Sequence, residues 1–480
     1  MNAAAATGSA DTHLDRIRTF YEEAPVESNW ASRGYRELLA RYFNLFIPDE
    51  ASVLEVGCGS GELLSLLKGR RKVGVDLSVR QIDAARQRLP EATFAVQAGE
   101  SITLDEAFDV IVISDTLNFA ADVQRLLEGL QGVAHARTRL IINFYSSLWR
   151  PALSLGHLLG LKSPQPQSNW LATSDVLNLL ELSGWKPVFT QPRLLVPLRL
   201  LGLEKLANRW LAPLPVFNSL CLTVFCVARS ACHAPRLNGD KPPSVSVVIP
   251  ARNESGNIEA AVRRTPEMGE GTELIFVEGH SRDDTWTQIQ RVQTEFPSRR
   301  IKIMRQTGRG KGDAVRMGFA AASGDILMIL DADLTMPPEE LPKFFEVIAG
   351  GRAEFANGCR LVYPMDEKAM QFLNLCANKT FSLIFTWLLG QPVKDTLCGT
   401  KVMSRAHYEK IAANRAYFGD FDPFGDFDLL FGAARLNLKI VDVPIRYRER
   451  TYGTTNIQRW KHGWLLWRMV LFAARKLKFV

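Results

Sequence analysis

No run in the 480-residue chain reaches the ~18 consecutive apolar residues needed to cross a bilayer. A membrane-spanning protein is therefore not expected, and two shorter runs, Phe381 to Leu389 and Trp464 to Ala474 with Arg468 inside it, suit at most the membrane surface. The opening MNAAAATGSADTHLDR lacks the basic start and apolar core of a secretory signal. Seven cysteines are scattered without a CxxC pair, which offers neither a zinc nor a disulfide framework and suits a reducing compartment. The expected location is cytoplasmic, peripheral on the inner face of the membrane. Excess positive charge is missing from most of the chain. Residues 446–480 hold nine Lys and Arg against one acid, Glu449, a surplus of eight, so the total of +7 leaves all other residues together at −1. Basicity confined to one end points to a local anionic partner and excludes a nucleic-acid-binding protein overall.

What is present is ordinary folded material, 46% apolar and 23% charged, in a length that calls for two or three domains. Residues Thr12 to Pro48 read as one or two covering helices, with Leu38, Leu39, Tyr42, Phe43 and Phe46 at helical spacing. ASVLEVGCGSGELLSLL then reads as a buried strand, a turn at Gly57, Gly59 and Gly61, and a helix; KVGVDLS reads as a second strand ending in Asp76. Glycines let backbone approach a ligand at a helix N-terminus, and an acid closing the next strand can hold a ribose diol. EVGCGSG followed by VDLS resembles the first two motifs of class I S-adenosylmethionine-dependent methyltransferases, and FDVIVISDTLNF resembles their fourth strand and the loop beside the methyl acceptor. The resemblance covers about Val53 to Arg229. It implies S-adenosylmethionine as cofactor, contacted by Glu55, Gly57, Gly59, Gly61 and Asp76, and it departs from the pattern at Ala98, where the family commonly has an acid that reads the adenine amine. RLIINFYSSLW supplies a fifth strand, LATSDVLNLLELSGWKPV a capped helix ending at Gly184 and then a strand, while the leucines from Leu194 to Leu214 read as core or as a hydrophobic acceptor cleft.

The linker SACHAPRLNGDKPPS has Pro, Gly and charge without periodicity. It sets domains at 1–230 and 244–480 with 231–243 between them. The second domain gathers chemistry at strand ends: Pro250, Arg252 and Glu254 after SVSVV, Glu278 and Asp283 after TELIFV, Lys311 in the loop GRGKGD, and Asp331 and Asp333 after the apolar run Ile326 to Leu330. Open α/β sheets bind ligands at that rim. Asp-x-Asp offers hard oxygens to Mg or Mn, and a lysine beside it suits phosphate, so the set predicts a nucleotide-diphosphate site.

These motifs resemble family 2 of the inverting glycosyltransferases, with a GT-A fold, and DADLTMPPEEL most resembles the dolichol- and bactoprenol-phosphate sugar synthases within it. The resemblance covers about Ser244 to Lys461. It implies base and ribose contacts at Pro250, Arg252 and Glu254, a phosphate or sugar contact at Lys311, and metal plus diphosphate at Asp331 and Asp333. Glu278 keeps the first of two expected acids, but Gly279 replaces the one that reads the nucleobase, so UDP and GDP both stay open. KDTLCGTKVMSR resembles the acceptor-side loop, with Asp395, Gly399 and Lys401, and FGDFDLL matches the acidic pair Asp426 and Asp428 that opens the last core helix. A hydroxyl acceptor needs a general base, for which Asp395 or Asp426 is available; a phosphate acceptor needs cations instead. Arg446, Arg448 and Arg450 supply them, and RTYGTTN resembles the basic acceptor-phosphate loop of the lipid-linked enzymes. In the tail, Trp460, Trp464 and Trp467 form one helical stripe beside Lys461, Arg468 and Arg475, as for a basic helix lying in a membrane interface.

The expected fold is α/β: two doubly wound Rossmann-like domains, an N-terminal class I methyltransferase fold and a C-terminal GT-A glycosyltransferase fold ending in an amphipathic helix. The expected function is transfer of a sugar from a nucleotide sugar to a polyprenyl phosphate or glycan, fused to a methyltransferase. The alternative is a soluble glycosyltransferase acting on a sugar or protein hydroxyl, with the N-terminal domain a non-catalytic binding module.

Overall fold

The computed structural model describes residues 14–26, 30–149, 151, 169, 171–197, 202–232, 241–362, 372–415, 427–448, 450, 452 and 459–479. Two compact units, Met1–Ala234 and Pro235–Lys478, are each built on a seven-stranded sheet.

In the first unit β1 (Ser52–Val56), β2 (Arg71–Asp76), β3 (Thr93–Val96), β4 (Phe108–Ser114), β5 (Ala134–Tyr145), β6 (Trp185–Arg193) and β7 (Thr223–Ser230) take the order β3-β2-β1-β4-β5-β7-β6. Only β7 runs against its neighbours. Alternate residues of β1 feed opposite cores: Val53 packs with Phe43 and Phe225, Leu54 and Val56 with Leu126 and Phe144. A strand buried on both faces needs helices on both, which is why these residues form a doubly wound sheet. Helices α1 (Trp30–Phe46) and α2 (Val79–Arg88) cover one face and α3 (Thr173–Leu182) the other, with the Phe43 ring of α1 5.1 Å from that of Phe225. The order reverses between β1 and β4, so the turn after β1 opens at the switch point where such sheets bind ligands. The stretch from Leu194 to Leu214 divides: Leu194 is buried, while Leu203, Leu206, Trp210 and Leu211 are exposed.

In the second unit β8 (Val245–Ala251), β9 (Thr272–Glu278), β10 (Arg300–Arg305), β11 (Ile326–Ile329), β12 (Phe355–Cys359), β13 (Lys401–Ser404) and β14 (Ile440–Pro444) take the order β10-β9-β8-β11-β13-β12-β14. Here β13 is the antiparallel member. The carboxyl ends of β8, β9, β10 and β11 therefore share one rim. Register is pinned at the opposite rim: the Asp325 carboxylate accepts from the Ser244 amide at 2.9 Å and its hydroxyl at 2.7 Å, which sets Ile326 opposite Val245. Val247, Ile249, Leu274, Phe276 and Met328 are fully buried with Phe344, at roughly 1.5–3 kcal/mol for each large side chain.

The run Phe381 to Leu389, expected at the membrane surface, buries Phe381, Phe385, Leu388 and Leu389. It ends helix α5 (Phe372–Leu389), where Phe385 is fully buried with its ring 5.4 Å from Phe431 and only Leu383 is strongly exposed. Apolar content alone does not say which face a helix buries. Helix α6 (Arg459–Leu477) buries Leu466, Met469, Val470, Ala473 and Ala474 and leaves Trp464, Trp467 and Leu471 exposed beside exposed Arg468. Among the described residues no helix is long and apolar enough to cross a membrane.

Candidate functional site

The chain leaves β11 through Leu330 and turns, with Leu334 in the left-handed region, so that Asp331 and Asp333 stand on the rim. Each is met by a cation. Lys311, the first residue of helix α4 (Lys311–Ala321), sets its Nζ 2.6 Å from Asp331 Oδ1. The Asp331 side chain is about a third exposed (33%); burial works to raise its carboxyl, and Lys311, backed by Lys401 and Arg360, overrides that and holds it below the ordinary value. Arg450 sits 2.7 Å from Asp333 Oδ2 and 3.4 Å from Glu254 Oε1. The other Asp333 oxygen accepts the Thr335 hydroxyl at 2.8 Å. Gly399 presses on the first pair, since a Cβ there would overlap both the Asp331 carboxylate and the Lys311 ammonium.

The same rim carries Glu254, Glu278 and Arg252. Glu254 is nearly buried and takes the Asn257 amide at 2.8 Å; burial raises its carboxyl, an effect reduced by Arg450 and that amide. Glu278 accepts from the Ser281 amide, Arg252 is exposed, and Pro250 pairs with Val277 inside the sheet. The Arg448 side chain is exposed while its amide donates to the Thr335 carbonyl at 2.9 Å. Tyr452 reaches back over the rim: its hydroxyl lies 2.8 Å from Ser255 Oγ, and its ring covers Gly256 where any Cβ would overlap it.

Two expected residues hold different positions from those their motif implies. Lys401 lies fully buried in β13, its ammonium donating to the Cys398 carbonyl, so it acts on Asp331 through its field rather than by facing a ligand. Asp395 is fully buried. Its carboxylate takes Arg360 twice, at 2.7 and 2.8 Å, and the amides of Arg360, Leu397 and Asn378 at 3.0, 3.1 and 3.0 Å. Burial alone would raise it; the Arg360 guanidinium outweighs that and holds the acid at about 2, which makes a weak base near neutrality. Asp426 and most of RTYGTTN lie outside the described residues. Asp428 is buried, with Arg415 Nε 3.4 Å away.

In the first unit Gly57, Gly59 and Gly61 have φ of 74, 51 and 71°, a run of left-handed residues that side chains resist. The Gly59 amide donates to Asp76 Oδ2 at 2.8 Å and the Ser78 amide to Oδ1 at 3.0 Å, so Asp76 fastens the turn while each oxygen keeps a lone pair for a ligand. A Cβ on Gly57 would overlap Thr116, itself tied to the Val56 carbonyl at 3.1 Å. Glu55 is 2% exposed, and its Oε2 has no hydrogen-bond partner among the described residues. Desolvation lifts its carboxyl to about 8 against the pull of Arg36. Nearby Asp115, left-handed at φ 55°, accepts the Asn143 amide at 2.7 Å. Ala98 offers no side-chain acceptor.

Residues 246–412 match the family model Glycosyl transferase family 2, and residues 54–142 match Methyltransferase domain. The chain joins a methyltransferase domain to a family 2 glycosyltransferase domain. It is 39% identical over 221 residues to a dolichol-phosphate mannosyltransferase of Pyrococcus furiosus, covering 45% of this chain and 59% of that protein. It is 35% identical over 214 residues to an undecaprenyl-phosphate 4-deoxy-4-formamido-L-arabinose transferase of Salmonella paratyphi B, covering 44% and 61%. The chain thus spans about three fifths of the length of these curated relatives. A solved S-adenosylmethionine-dependent methyltransferase of Thermotoga maritima, a possible histamine N-methyltransferase, is 19% identical over 46% of this chain and 99% of that one, at a TM-score of 0.33.

The methyltransferase domain fits its cofactor on two observations: open space at the glycine turn, where a Cβ on Gly59 would meet nothing nearer than Gln81 Oε1 at 4.0 Å, and a buried carboxyl oxygen at Glu55 that no described residue donates to. The second has a measurable consequence. A folded value near 8 lies above the unfolded 4.5, so the native state holds a proton that the unfolded chain gives up, and stability is full below pH ~4.5 and falls as pH rises towards 8. Glu55→Gln should therefore raise the melting temperature of the cofactor-free protein at pH 8, with the gain vanishing near pH 4.5, while weakening S-adenosylmethionine binding tenfold or more. Parallel melting curves across that pH range would refute the assignment.

In the glycosyltransferase domain no group of three or more His, Cys, Asp or Glu forms a ready metal cage among the described residues. The donor chemistry at Asp331 and Asp333 nevertheless suits magnesium or manganese, which take one or two carboxylates and complete their shell with phosphate oxygens and water. Sequence reading missed Arg360, Thr335 and Tyr452. Thr335 carries a local signal, two residues after the acid it donates to; the contacts of Arg360 and of Tyr452, within RTYGTTN, carry none, since their partners lie 35 and 197 residues away.

Proposed function

We propose that the glycosyltransferase domain moves a sugar, with inversion, from a nucleotide diphosphate to a polyprenyl phosphate, and that the methyltransferase domain transfers a methyl group from S-adenosylmethionine to a small molecule. The observation that carries the first part is the meeting of Lys311 and Arg450 on Asp331 and Asp333. Cations already stand where a diphosphate must be neutralised, and the N-terminus of helix α4 adds its dipole. The relatives' names, which specify dolichol phosphate and undecaprenyl phosphate, favour a phosphate acceptor.

In this mechanism Glu254 and Arg252 hold ribose and base, and Lys311 and Arg450 exchange their carboxylates for phosphate oxygens. A divalent ion bound by Asp331 and Asp333 would neutralise the leaving diphosphate. Arg446 and Arg448, both exposed, position the acceptor phosphate on the other side of the sugar. An acceptor oxygen attacks the anomeric carbon as the bond to the donor phosphate breaks. Being anionic already, it has no proton to lose. Engagement of Asp395 by Arg360 agrees with that, and disfavours a hydroxyl acceptor served by Asp395.

The test is incubation of the protein and membranes with a panel of labelled nucleotide sugars, followed by organic extraction. Label should enter a mild-acid-labile lipid with one donor; failure with every donor removes the proposal. Calorimetry with S-adenosylmethionine tests the second part, and no heat at millimolar ligand would leave the N-terminal domain a binding module.

Access to a lipid is supplied by helix α6. Exposed Trp464, Trp467 and Leu471 beside Arg468 suit the interface of an anionic inner leaflet. A Trp464→Ala, Leu471→Ala variant should lose about tenfold in binding to vesicles containing anionic lipid, with melting unchanged within about 3 °C. Equal binding of parent and variant would remove this helix as the anchor.

A further inference from the structure

We infer that the first unit docks on an anionic bilayer surface through the excursion between β6 and β7, and that the methyl acceptor it serves is accordingly a membrane lipid. The second half rests on methyl transfer by this domain; the first does not.

Place comes first. Strands β1, β4, β5 and β6 run in one direction and β7 against them, so the carboxyl ends of the four and the amino end of β7 share one rim. Tyr145, Thr223 and Arg193 stand side by side on it. The chain therefore leaves this rim after Arg193 and returns to it at Thr223, on the edge that carries the glycine turn after β1 and Asp115 after β4. Three interstrand spacings, about 14 Å, separate β1 from β7. A surface that covers the excursion thus also faces the rim at which a methyl acceptor enters.

Orientation comes second. In residues 202–220 Glu204 and Asn208 turn inward and leucines turn outward, the reverse of an ordinary surface helix. Asn208 grips both backbone groups of Val196: its Oδ1 accepts the amide at 2.8 Å and its Nδ2 donates to the carbonyl at 2.7 Å. Glu204 accepts the Gly202 amide at 2.9 Å. These bonds fix which side faces out. Leu203, Leu206, Val216 and Leu220 are each more than half exposed. Leu148, also more than half exposed, joins them where the Trp149 indole N–H donates to the Leu220 carbonyl at 2.7 Å. Single exposed leucines are ordinary, but five apolar residues on one rim, presented by buried polar anchors, mark a binding face.

Charge comes third and chooses the occupant. The charged residues of 202–220 are Glu204, Lys205 and Arg209, and with Glu204 buried the exposed pair is cationic. In a symmetric contact with a second copy each patch meets itself, which sets cation against cation. An anionic bilayer takes the apolar side chains into its acyl boundary and the Lys205 and Arg209 heads among its phosphates. It also asks for no directional hydrogen bonds, and leucine and valine side chains have none to give.

The experiment is hydrogen–deuterium exchange of the full chain with vesicles of mixed phosphatidylglycerol and phosphatidylcholine, in the Trp464→Ala, Leu471→Ala background so that helix α6 contributes little. Amides of 202–220 should exchange about threefold more slowly with these vesicles than without them, and at an unchanged rate with phosphatidylcholine alone. Leu206→Glu with Val216→Glu should abolish the slowing and lower vesicle binding a further tenfold or so, with the melting temperature within about 3 °C. Exchange unchanged by anionic vesicles, or slowing that survives both substitutions, overturns the docking face. Slowing that grows with protein concentration and needs no vesicle names a second copy as the occupant and overturns it too. For the acceptor, label from methyl-labelled S-adenosylmethionine should enter the organic extract of membranes incubated with the protein. Cofactor binding by calorimetry without label in that extract overturns the lipid acceptor alone. No cofactor binding overturns methyl transfer and the lipid acceptor together, while the exchange result still decides the docking face.

Discussion

Asp333→Asn is expected to lower sugar transfer about a thousandfold, a loss of ~4 kcal/mol of transition-state stabilisation. The substitution is nearly isosteric and keeps an oxygen for the Thr335 hydroxyl, so the turn survives. What goes is charge. An amide cannot replace the carboxylate as partner of Arg450, which stands 2.7 Å away, nor as a hard ligand beside the departing diphosphate. The Arg450–Asp333 pair is partly exposed, at 26% and 17% for the two side chains, so its loss should cost little in folding. The signature is thus a collapse of kcat with the melting temperature within about 3 °C of the parent, measured with labelled donor and extracted lipid. Chelator in excess should reproduce the loss in the parent chain. Activity within tenfold of the parent would exclude Asp333 from the chemistry, and activity untouched by chelator would exclude the metal.

Much of this site was legible because its parts are local. The runs SVSVV, TELIFV and ILMI are short, apolar and closed by polar residues, and each became a strand of one sheet with its acid on one rim. The three glycines after β1 mark left-handed residues, and Asp76 follows the next strand as a turn fastener. What stayed hidden depends on contacts between distant segments. Lys401 looks like a free cation in KDTLCGTKV; it is buried because β13 sits between β11 and β12 and is covered on both faces. Asp395 looks like a base until Arg360, after β12, is brought against it. Phe381 to Leu389 looks like a membrane-surface run, since with only Ser382 and Thr386 polar it has no charged stripe to mark a solvent face. The tail differs for that reason: polar and apolar residues alternate at helical spacing, and the tryptophan face read from sequence is the exposed one at Trp464 and Trp467.

Asp395→Asn separates a structural carboxylate from a catalytic one. Removing one partner of a buried ion pair leaves Arg360 without its counter-charge, a cost of about 3–5 kcal/mol. In a domain of this size that is a fall of about 10 °C in melting temperature at pH 7. The pH dependence fixes the cause. The folded value of about 2 lies below the ordinary 3.8, so the stabilisation is complete above pH ~3.8 and is lost as pH falls towards 2. Between pH 6 and pH 3 the gap between parent and variant should narrow by about 1 kcal/mol in urea unfolding, because only the parent has a carboxylate to protonate. Residual transfer by the variant should follow the fraction folded, since a phosphate acceptor asks no base of Asp395. A variant that melts with the parent and binds donor normally, yet does not turn over, would reverse the assignment: Asp395 would then be the base for a hydroxyl acceptor, and the arginines at 446 and 448 would lose their anion.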